Sequence, residues 1–346
     1  MRLLSYSILT LLFVIVNVSY GKADYTFKDG KKIYLLSRVE GKKAILNDEI
    51  LPFFNVLNNL DMSIRMGIQL DPSKLNESRS RFKEFVQDSV MDWTLEEKKA
   101  LLRVLNLCYY ICNSAVPGFI PTKWRFIKTS GKEDSGFFYT RGDCIIVPQN
   151  ELDKLLKDKK YIKTFIEVII HETFHVYSKL NQDKRKLLYE IIGFKKDLEV
   201  ELGSFLLERK LTNPDGSDYS YRITIQNHNG LKMQAIIMIL SKYDSYQKGN
   251  NNVLNYLTVS LFEVSLQNGK WKVVLDKNGA VKPIDPNKAK GFYEQIGRNT
   301  GYIIHPDEIL ADNVMIYFLW KNGLKNVKEI DDTKLLERIE KVLKSK

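Results

Sequence analysis

Two histidines and a glutamate in the segment FIEVIIHETFHVYS, residues 165–178, have the types and the spacing that could bind and use a metal ion. On a helix, His171 and His175 lie one turn apart on the same face, so both imidazoles can reach a single ion. Neutral imidazoles suit Zn²⁺, and a site with three protein ligands keeps a fourth position for water. Glu172, beside the first histidine, can take a proton from water that the metal has made more acidic.

This arrangement is the HExxH pattern of metallopeptidases. The other interpretation is a buried helix whose two histidines are hydrogen-bonded in the core. Three ionisable side chains in an otherwise apolar helix are unfavourable without a purpose, so we favour the first interpretation. We expect one Zn²⁺ ion bound by His171 and His175, with Glu172 as the general base.

A third ligand is expected on another helix. The segment HPDEILADN, residues 305–313, carries Glu308 and Asp312 four residues apart, and Pro306 fits the first turn of a helix. An acidic helix start without any metal is the structural alternative, because carboxylates are favoured at that end of the helix dipole. Three other side chains are alternative third ligands: Glu199, Glu201 and His305.

Together these residues resemble the site of the gluzincin class of zinc metallopeptidases, in which a glutamate from a second helix completes the metal site. The resemblance implies that Glu308 is the third ligand. It also implies that Asp312 hydrogen-bonds the far nitrogen of a zinc histidine, His171 being favoured, and so fixes the orientation of that ring. The interval between the two motifs is longer than in thermolysin, so the resemblance covers the site helices and the strand before them.

The same resemblance implies an edge strand beside the zinc helix that pairs with the substrate backbone by β-augmentation. The segment FYTRGDCIIVP fits such a strand, and the chain is similar here to uncharacterised secreted bacterial zinc peptidases. Tyr139 and Arg141 are therefore candidate substrate-binding residues, with a structural salt bridge as the alternative for Arg141. A tyrosine or histidine outside the zinc helix would donate to the oxyanion, and Tyr302 and His305 are the first candidates.

Strand, helix and turn patterns predict an α+β fold: a zincin-like metallopeptidase domain with a mixed sheet, an edge strand beside the HExxH helix, and a mainly helical N-terminal region. Pro117, Gly118 and Pro121 interrupt the helical pattern, so we expect a domain or subdomain boundary at these residues. We expect a signal peptide over residues 1–21, a hairpin plus a helical region over residues 22–121, and the metallopeptidase domain over residues 122–346.

Local signals predict individual elements. Residues 24–47 are expected to form a hairpin with turns at Asp29-Gly30 and Glu40-Gly41, and residues 136–148 a single strand. Thr94 and Glu97 form a capping box before a long helix.

Later hairpins are expected to turn at His228-Asn229-Gly230 and at Asn268-Gly269. His228, a further oxyanion candidate together with Tyr139, is interpreted as an exposed turn residue, and Asp215 in NPDG as turn chemistry.

Composition limits the classes of function. The chain has 346 residues, is 44% hydrophobic and carries a formal net charge of +11 that is spread along its length. No nucleic-acid motif accompanies this charge, so we expect no nucleic-acid partner. Cys108, Cys112 and Cys144 are too few for a disulfide scaffold, and we expect the first two to pack in the core. Arg2 and the apolar run after it predict a cleavable signal peptide, and hence a secreted or periplasmic protein without an integral membrane domain.

The sequence therefore predicts an exported zinc metallopeptidase that acts as a monomer on a peptide or protein substrate. Two alternatives stay open: a zinc amidase acting on cell-wall peptides, and a catalytically inactive secreted binding protein stabilised by a metal. Glu172 argues against the inactive protein, because a structural zinc site is usually closed by four protein ligands and needs no base beside it.

Overall fold

A computed structural model of the protein describes residues 21–227 and 229–345. Apart from Gly21, the predicted signal peptide lies outside the described residues, and so does His228. The α-helices are α1 (Arg38–Ala44), α2 (Asn59–Met66), α3 (Leu75–Ser89), α4 (Leu95–Ala115), α5 (Gln149–Lys157), α6 (Tyr161–Leu180), α7 (Gln182–Ile191), α8 (Ser204–Arg209), α9 (Tyr293–Ile296), α10 (Pro306–Lys321) and α11 (Thr333–Lys344). The strands are β1 (Tyr25–Thr26), β2 (Lys32–Leu35), β3 (Val90–Met91), β4 (Lys123–Thr129), β5 (Tyr139–Arg141), β6 (Cys144–Pro148), β7 (Phe194–Lys196), β8 (Val200–Glu201), β9 (Tyr221–Gln226), β10 (Lys232–Ser241), β11 (Leu257–Gln267), β12 (Lys270–Val273) and β13 (Pro283–Ile284).

The first sheet is mixed and supports the HExxH helix. Its strand order is β1-β2-β4-β6-β5, with β3 added beside β4. Strands β2, β4 and β6 are parallel neighbours, whereas β1 and β5 pair antiparallel with β2 and β6. The pairing of β2 with β4 joins residues on either side of the boundary expected at residues 117–121. The N-terminal hairpin is therefore part of the same sheet as the strands that precede the HExxH helix.

The second sheet contains the two later hairpins, which are confirmed as β9–β10 and β11–β12. Its order is β7-β9-β10-β11-β12-β8, with β13 added beside β11. At the second hairpin, Asn268 and Gly269 both have positive φ angles, 51° and 77°. A two-residue turn of this kind needs such angles, which is why Asn-Gly is a strong hairpin signal. The α+β class with mixed sheets is thus confirmed.

Two predicted elements differ from the structure. The turn at Asp29-Gly30 lies between β1 and β2, but the turn predicted at Glu40-Gly41 is wrong, because α1 occupies that segment. Ser37 and Glu40 form a capping box that starts this helix, a stronger local signal than the Glu-Gly pair. The single strand predicted over residues 136–148 is also wrong: it is a hairpin of β5 and β6 that turns at Gly142, whose φ angle is 55°.

The core places the two candidate site helices side by side. Helix α6 packs against α10 on one side and against α4, α5 and the first sheet on others. Most of its apolar side chains, among them Phe165, Ile169 and Phe174, are buried in the core. Cys108 and Cys112 pack in the same core as free thiols, as expected, and burial raises the pKa of each. Among the described helices, none combines the length and the apolar composition needed to cross a bilayer.

Candidate metal centre

The two histidines of HExxH face α10 from adjacent turns of α6. The ring centroids of His171 and His175 are 4.8 Å apart. Because the remaining faces of α6 are occupied by buried apolar packing, this ionisable face is the one that meets the neighbouring helix. Both rings therefore point at the segment of α10 that carries the predicted third ligand.

Glu308 lies between the two histidines. Its Oε2 is 2.9 Å from Nε2 of His171 and 3.3 Å from Nε2 of His175. The structure thus brings together the two histidines and the glutamate that was the preferred third ligand. The other two glutamates lie elsewhere: Glu199 accepts a backbone N–H of Tyr219, and Glu201 pairs with Lys270 in the second sheet.

Each histidine has a carboxylate partner on its outward nitrogen. Nδ1 of His171 is 2.8 Å from Oδ1 of Asp312, which is the expected pair. Nδ1 of His175 is 2.7 Å from Oδ2 of Asp307, a contact that sequence reasoning missed. A carboxylate on the far nitrogen fixes the tautomer of the imidazole so that Nε2 is free to bind a metal. The one sequence signal for this contact was that Asp307 directly precedes Glu308.

Asp307 is itself held firmly. Its Oδ1 accepts hydrogen bonds from Ser178, at 2.6 Å, and from Tyr189, at 2.7 Å. Burial raises the pKa of Asp307, but Arg185 and His175 outweigh burial and lower it. The carboxylate is therefore ionised and can orient the imidazole of His175.

The electrostatics of the cluster favour a cation at its centre. Burial lowers the pKa of His171, but hydrogen bonds to Asp312 and Glu308 outweigh burial and raise it to about 10. Burial raises the pKa of Glu308, yet the two histidines outweigh burial and lower it well below its ordinary value. In the absence of a metal, protons on the imidazoles therefore supply the positive charge that balances the carboxylates.

Among the described residues, several buried side-chain polar atoms have no hydrogen-bond partner, and two of them belong to this centre: Nε2 of His175 and Oε2 of Glu172. The 3.3 Å separation of that nitrogen from Glu308 lacks the alignment of a hydrogen bond. Ligand atoms of His171, Glu172 and His175 lie within 4.8 Å of one another. Buried polar groups are nearly always paired, so these atoms fit an ion. The donor set of two imidazole nitrogens and a carboxylate oxygen suits Zn²⁺.

The centre opens into a cleft of about 610 Å³. Glu172 lies at its inner wall, 5% exposed. Burial first, and the charge of Asp215 second, raise the pKa of Glu172 to about 8. Apolar side chains form most of the remaining wall: Phe137, Phe138, Val168, Leu211, Ile239, Val253, Leu254, Leu257, Ile304 and Met315. The cleft therefore combines a titratable carboxylate with surfaces suited to apolar side chains of a substrate.

The two oxyanion candidates have different surroundings. Tyr302 is 43% exposed and lines the cleft, with its ring centroid 6.1 Å from that of His171. His305 is buried, does not line the cleft, and caps α10 by accepting the N–H of Asp307 at Nδ1. The catalytic role expected for His305 is therefore not supported, because its side chain is used to start the helix. Tyr302 stays the candidate donor.

The predicted substrate-binding pair is structural. Tyr139 is buried and its hydroxyl donates to Glu133. Arg141 is also buried and donates to the backbone carbonyl of Asn47 and to the carboxylate of Asp48. Neither side chain lines the cleft. Strand β5 therefore places both side chains in the core, away from the cleft, and Arg141 forms a salt bridge with Asp48, the alternative expected for it.

The edge of β5 is also covered at its centre. The backbone N–H of Thr140 donates to Oδ1 of Asp215 at 3.0 Å, and its carbonyl oxygen accepts from Lys179 at 3.4 Å. A strand whose outward N–H and C=O are already paired offers no place there for a substrate strand. The β-augmentation implied by the gluzincin resemblance is therefore blocked at Thr140.

The segment NPDG, residues 213–216, forms a turn, as expected, but it also belongs to the site. Asn213 donates from Nδ2 to Oε1 of Glu308 at 2.7 Å. Asp215 lines the cleft, and one of its oxygens lies within 4.8 Å of ligand atoms of His175 and Glu308. Interpreting Asp215 as turn chemistry alone was incomplete, because turn residues can also be presented to a site by the surrounding fold.

The chain was compared with models of protein families, with curated proteins and with solved structures. None of the three comparisons found a match.

Proposed function

We propose that the protein is an exported zinc-dependent metallopeptidase. The observation that carries this proposal is the convergence of Nε2 of His171, Nε2 of His175 and Oε2 of Glu308, with the unpartnered carboxylate of Glu172 beside them at the wall of the cleft. The apolar leader predicted over residues 1–21 supports export.

His171, His175 and Glu308 would hold one Zn²⁺ ion, with Asp312 and Asp307 orienting the two rings. The ion, when bound, would polarise a substrate carbonyl and make a water molecule more acidic. Glu172 would take a proton from that water and pass it to the leaving amine.

Other groups of the cleft would bind and orient the substrate. The hydroxyl of Tyr302 can donate to the carbonyl oxygen as negative charge develops on it. The apolar wall, with Phe137, Phe138 and Leu254 among its members, can bind apolar side chains near the scissile bond. A peptide with apolar side chains beside that bond is therefore the substrate that this cleft accommodates best.

The test pairs metal analysis with peptide cleavage by the wild type and by Glu172→Gln. Both proteins should bind one zinc ion, because Glu172 is not among the proposed ligands. The wild type should cleave peptides with apolar residues, and the variant should be slower by at least about 100-fold. Zinc binding with equal inertness of both proteins across a peptide library would contradict the peptidase proposal, and the absence of zinc would remove its basis.

A further inference from the structure

We propose that the turn formed by Asn213, Pro214, Asp215 and Gly216, called the NPDG turn below, is a built-in part of the metal centre. Asn213 is its positioning residue: it holds Glu308 so that one carboxylate oxygen faces the two histidines. This inference rests on the proposed metal centre and adds to it a residue that is remote in sequence from both site helices.

The contact between Asn213 and Glu308 divides the roles of the two carboxylate oxygens. The amide of Asn213 donates to Oε1 at 2.7 Å, while Oε2 faces His171 at 2.9 Å. Both side chains are buried, so water does not compete for Oε1. A donor fixed on Oε1 restricts rotation of the carboxylate and favours binding of the metal through Oε2 alone.

The NPDG turn is tied to the helix that carries both histidines. Asp215 accepts from Nζ of Lys179 at 3.1 Å and from the N–H of Thr140 at 3.0 Å. Lys179 lies on α6 one helical turn after His175. Asp215 and Lys179 are both buried, 4% and 3% exposed, so their pairing is shielded from solvent. The position of Asn213 is thereby fixed relative to α6.

The residue before the turn is tied to the helical N-terminal region. Thr212 donates its N–H to Asp61 at 2.7 Å and accepts at its carbonyl oxygen from Arg65 at 2.9 Å. Arg65 and Asp61 also pair with each other on α2, at 2.9 Å. These contacts give α2 a role in the centre, because Asp61 and Arg65 hold the backbone next to Asn213.

The last residue of the turn packs on the start of α10. A Cβ added to Gly216 would lie 2.1 Å from Nδ1 of His305, the residue that caps this helix. Only glycine permits this close approach. The turn thus contacts α6 through Asp215 and α10 through Asn213 and Gly216, and so connects both halves of the metal centre.

The test compares Asn213→Ala with the matched control Asn181→Ala. Asn181 donates a side-chain hydrogen bond to the carbonyl of Tyr177 at 2.8 Å, but it is exposed and does not line the cleft. Asn213 makes a second side-chain hydrogen bond, because its Oδ1 accepts from the N–H of Asp215 at 3.1 Å. Zinc affinity of the metal-free proteins is measured by competition with a chelator, together with the visible spectrum after loading with Co²⁺ and the thermal unfolding of the metal-free form.

We expect Asn213→Ala to bind zinc about 10- to 100-fold more weakly than the wild type and to show a shifted Co²⁺ spectrum. Asn181→Ala should match the wild type in both. A wild-type spectrum and affinity for Asn213→Ala would overturn the inference and leave the metallopeptidase proposal intact, whereas failure of the wild type itself to bind zinc or cobalt would contradict the proposed metal centre.

Asn213→Asp provides a second variant of nearly the same size in case Asn213→Ala does not fold. It replaces the donor facing Oε1 with an acceptor, so it should weaken zinc binding at least as much. Should it fold and bind zinc with wild-type affinity, Asn213 has no positioning role.

Discussion

Two parts of the metal centre are built in different ways: the pair of helices α6 and α10, and the NPDG turn. The helix pair presents His171, His175, Glu308 and Asp312 at helical spacing, so their convergence follows from local periodicity once the two helices pack. The turn presents Asn213 through contacts with α2, α6 and α10. Helical spacing thus accounts for the identity of the ligands, while long-range packing sets the orientation of one of them.

The largest expected effect concerns the helix pair. Replacing Glu308 by alanine removes a proposed ligand, and zinc affinity should fall by about 1,000-fold or more, as expected when one of three protein ligands is lost. Glu199→Ala is the control, because Glu199 accepts the backbone N–H of Tyr219 and does not line the cleft. The measurement is chelator competition on both proteins. Loss of zinc in Glu199→Ala but not in Glu308→Ala would make the ligand assignment wrong.

The next effect concerns the anchoring of the turn. Lys179→Met leaves Asp215 as a buried charge without its 3.1 Å partner, so unfolding in urea should require about 3 kcal/mol less free energy. Lys154→Met is the control: this lysine is 55% exposed and pairs with Glu151 near the surface, so its loss should change stability little. If the two variants were equally stable, the turn would not be anchored through Asp215.

The smallest effect links the two parts, because Glu172 of α6 is influenced by Asp215 of the turn. Folding raises the pKa of Glu172 from 4.5 to about 8 through burial and then through Asp215. The folded metal-free protein therefore binds more protons than the unfolded chain between these pH values, and its free energy of unfolding falls as the pH rises.

Glu172→Gln removes this titration, so the free energy of unfolding of the variant should rise relative to that of the wild type by up to about 1.4 kcal/mol per pH unit between pH 4.5 and pH 8. Comparing the two metal-free proteins cancels the groups that do not interact with Glu172, because those groups titrate alike in both. Urea unfolding across this pH range provides the measurement. A constant difference between the two proteins would contradict the raised pKa.

The structural elements that the sequence predicts are those whose formation depends on residues close together in the chain. Helix α6 and the Asn-Gly hairpin were predictable, because each has a local signal. The hydrogen bond between His171 and Asp312 was predictable from a family resemblance. The burial of Tyr139 and Arg141 was not, because it depends on which way the short strand β5 faces within the sheet.

The roles of His305 and of the NPDG turn also depend on tertiary contacts, which the sequence alone does not reveal. His305 combined the right residue type with a position beside Glu308, yet its ring caps α10. Asn213 and Asp215 carried only a turn signal, because their contacts join residues far apart in the chain: Asn213 and Glu308 are 95 positions apart, and Asp215 and Thr140 are 75 positions apart. Tertiary contacts of that kind leave no periodic trace in one sequence.

The most direct test of the central claim is a crystal structure of the zinc-loaded protein, with anomalous diffraction recorded at the zinc absorption edge. We predict a single zinc peak about 2.0–2.2 Å from Nε2 of His171, Nε2 of His175 and Oε2 of Glu308. A peak held by other residues, or no peak in protein crystallised with zinc, would contradict the account.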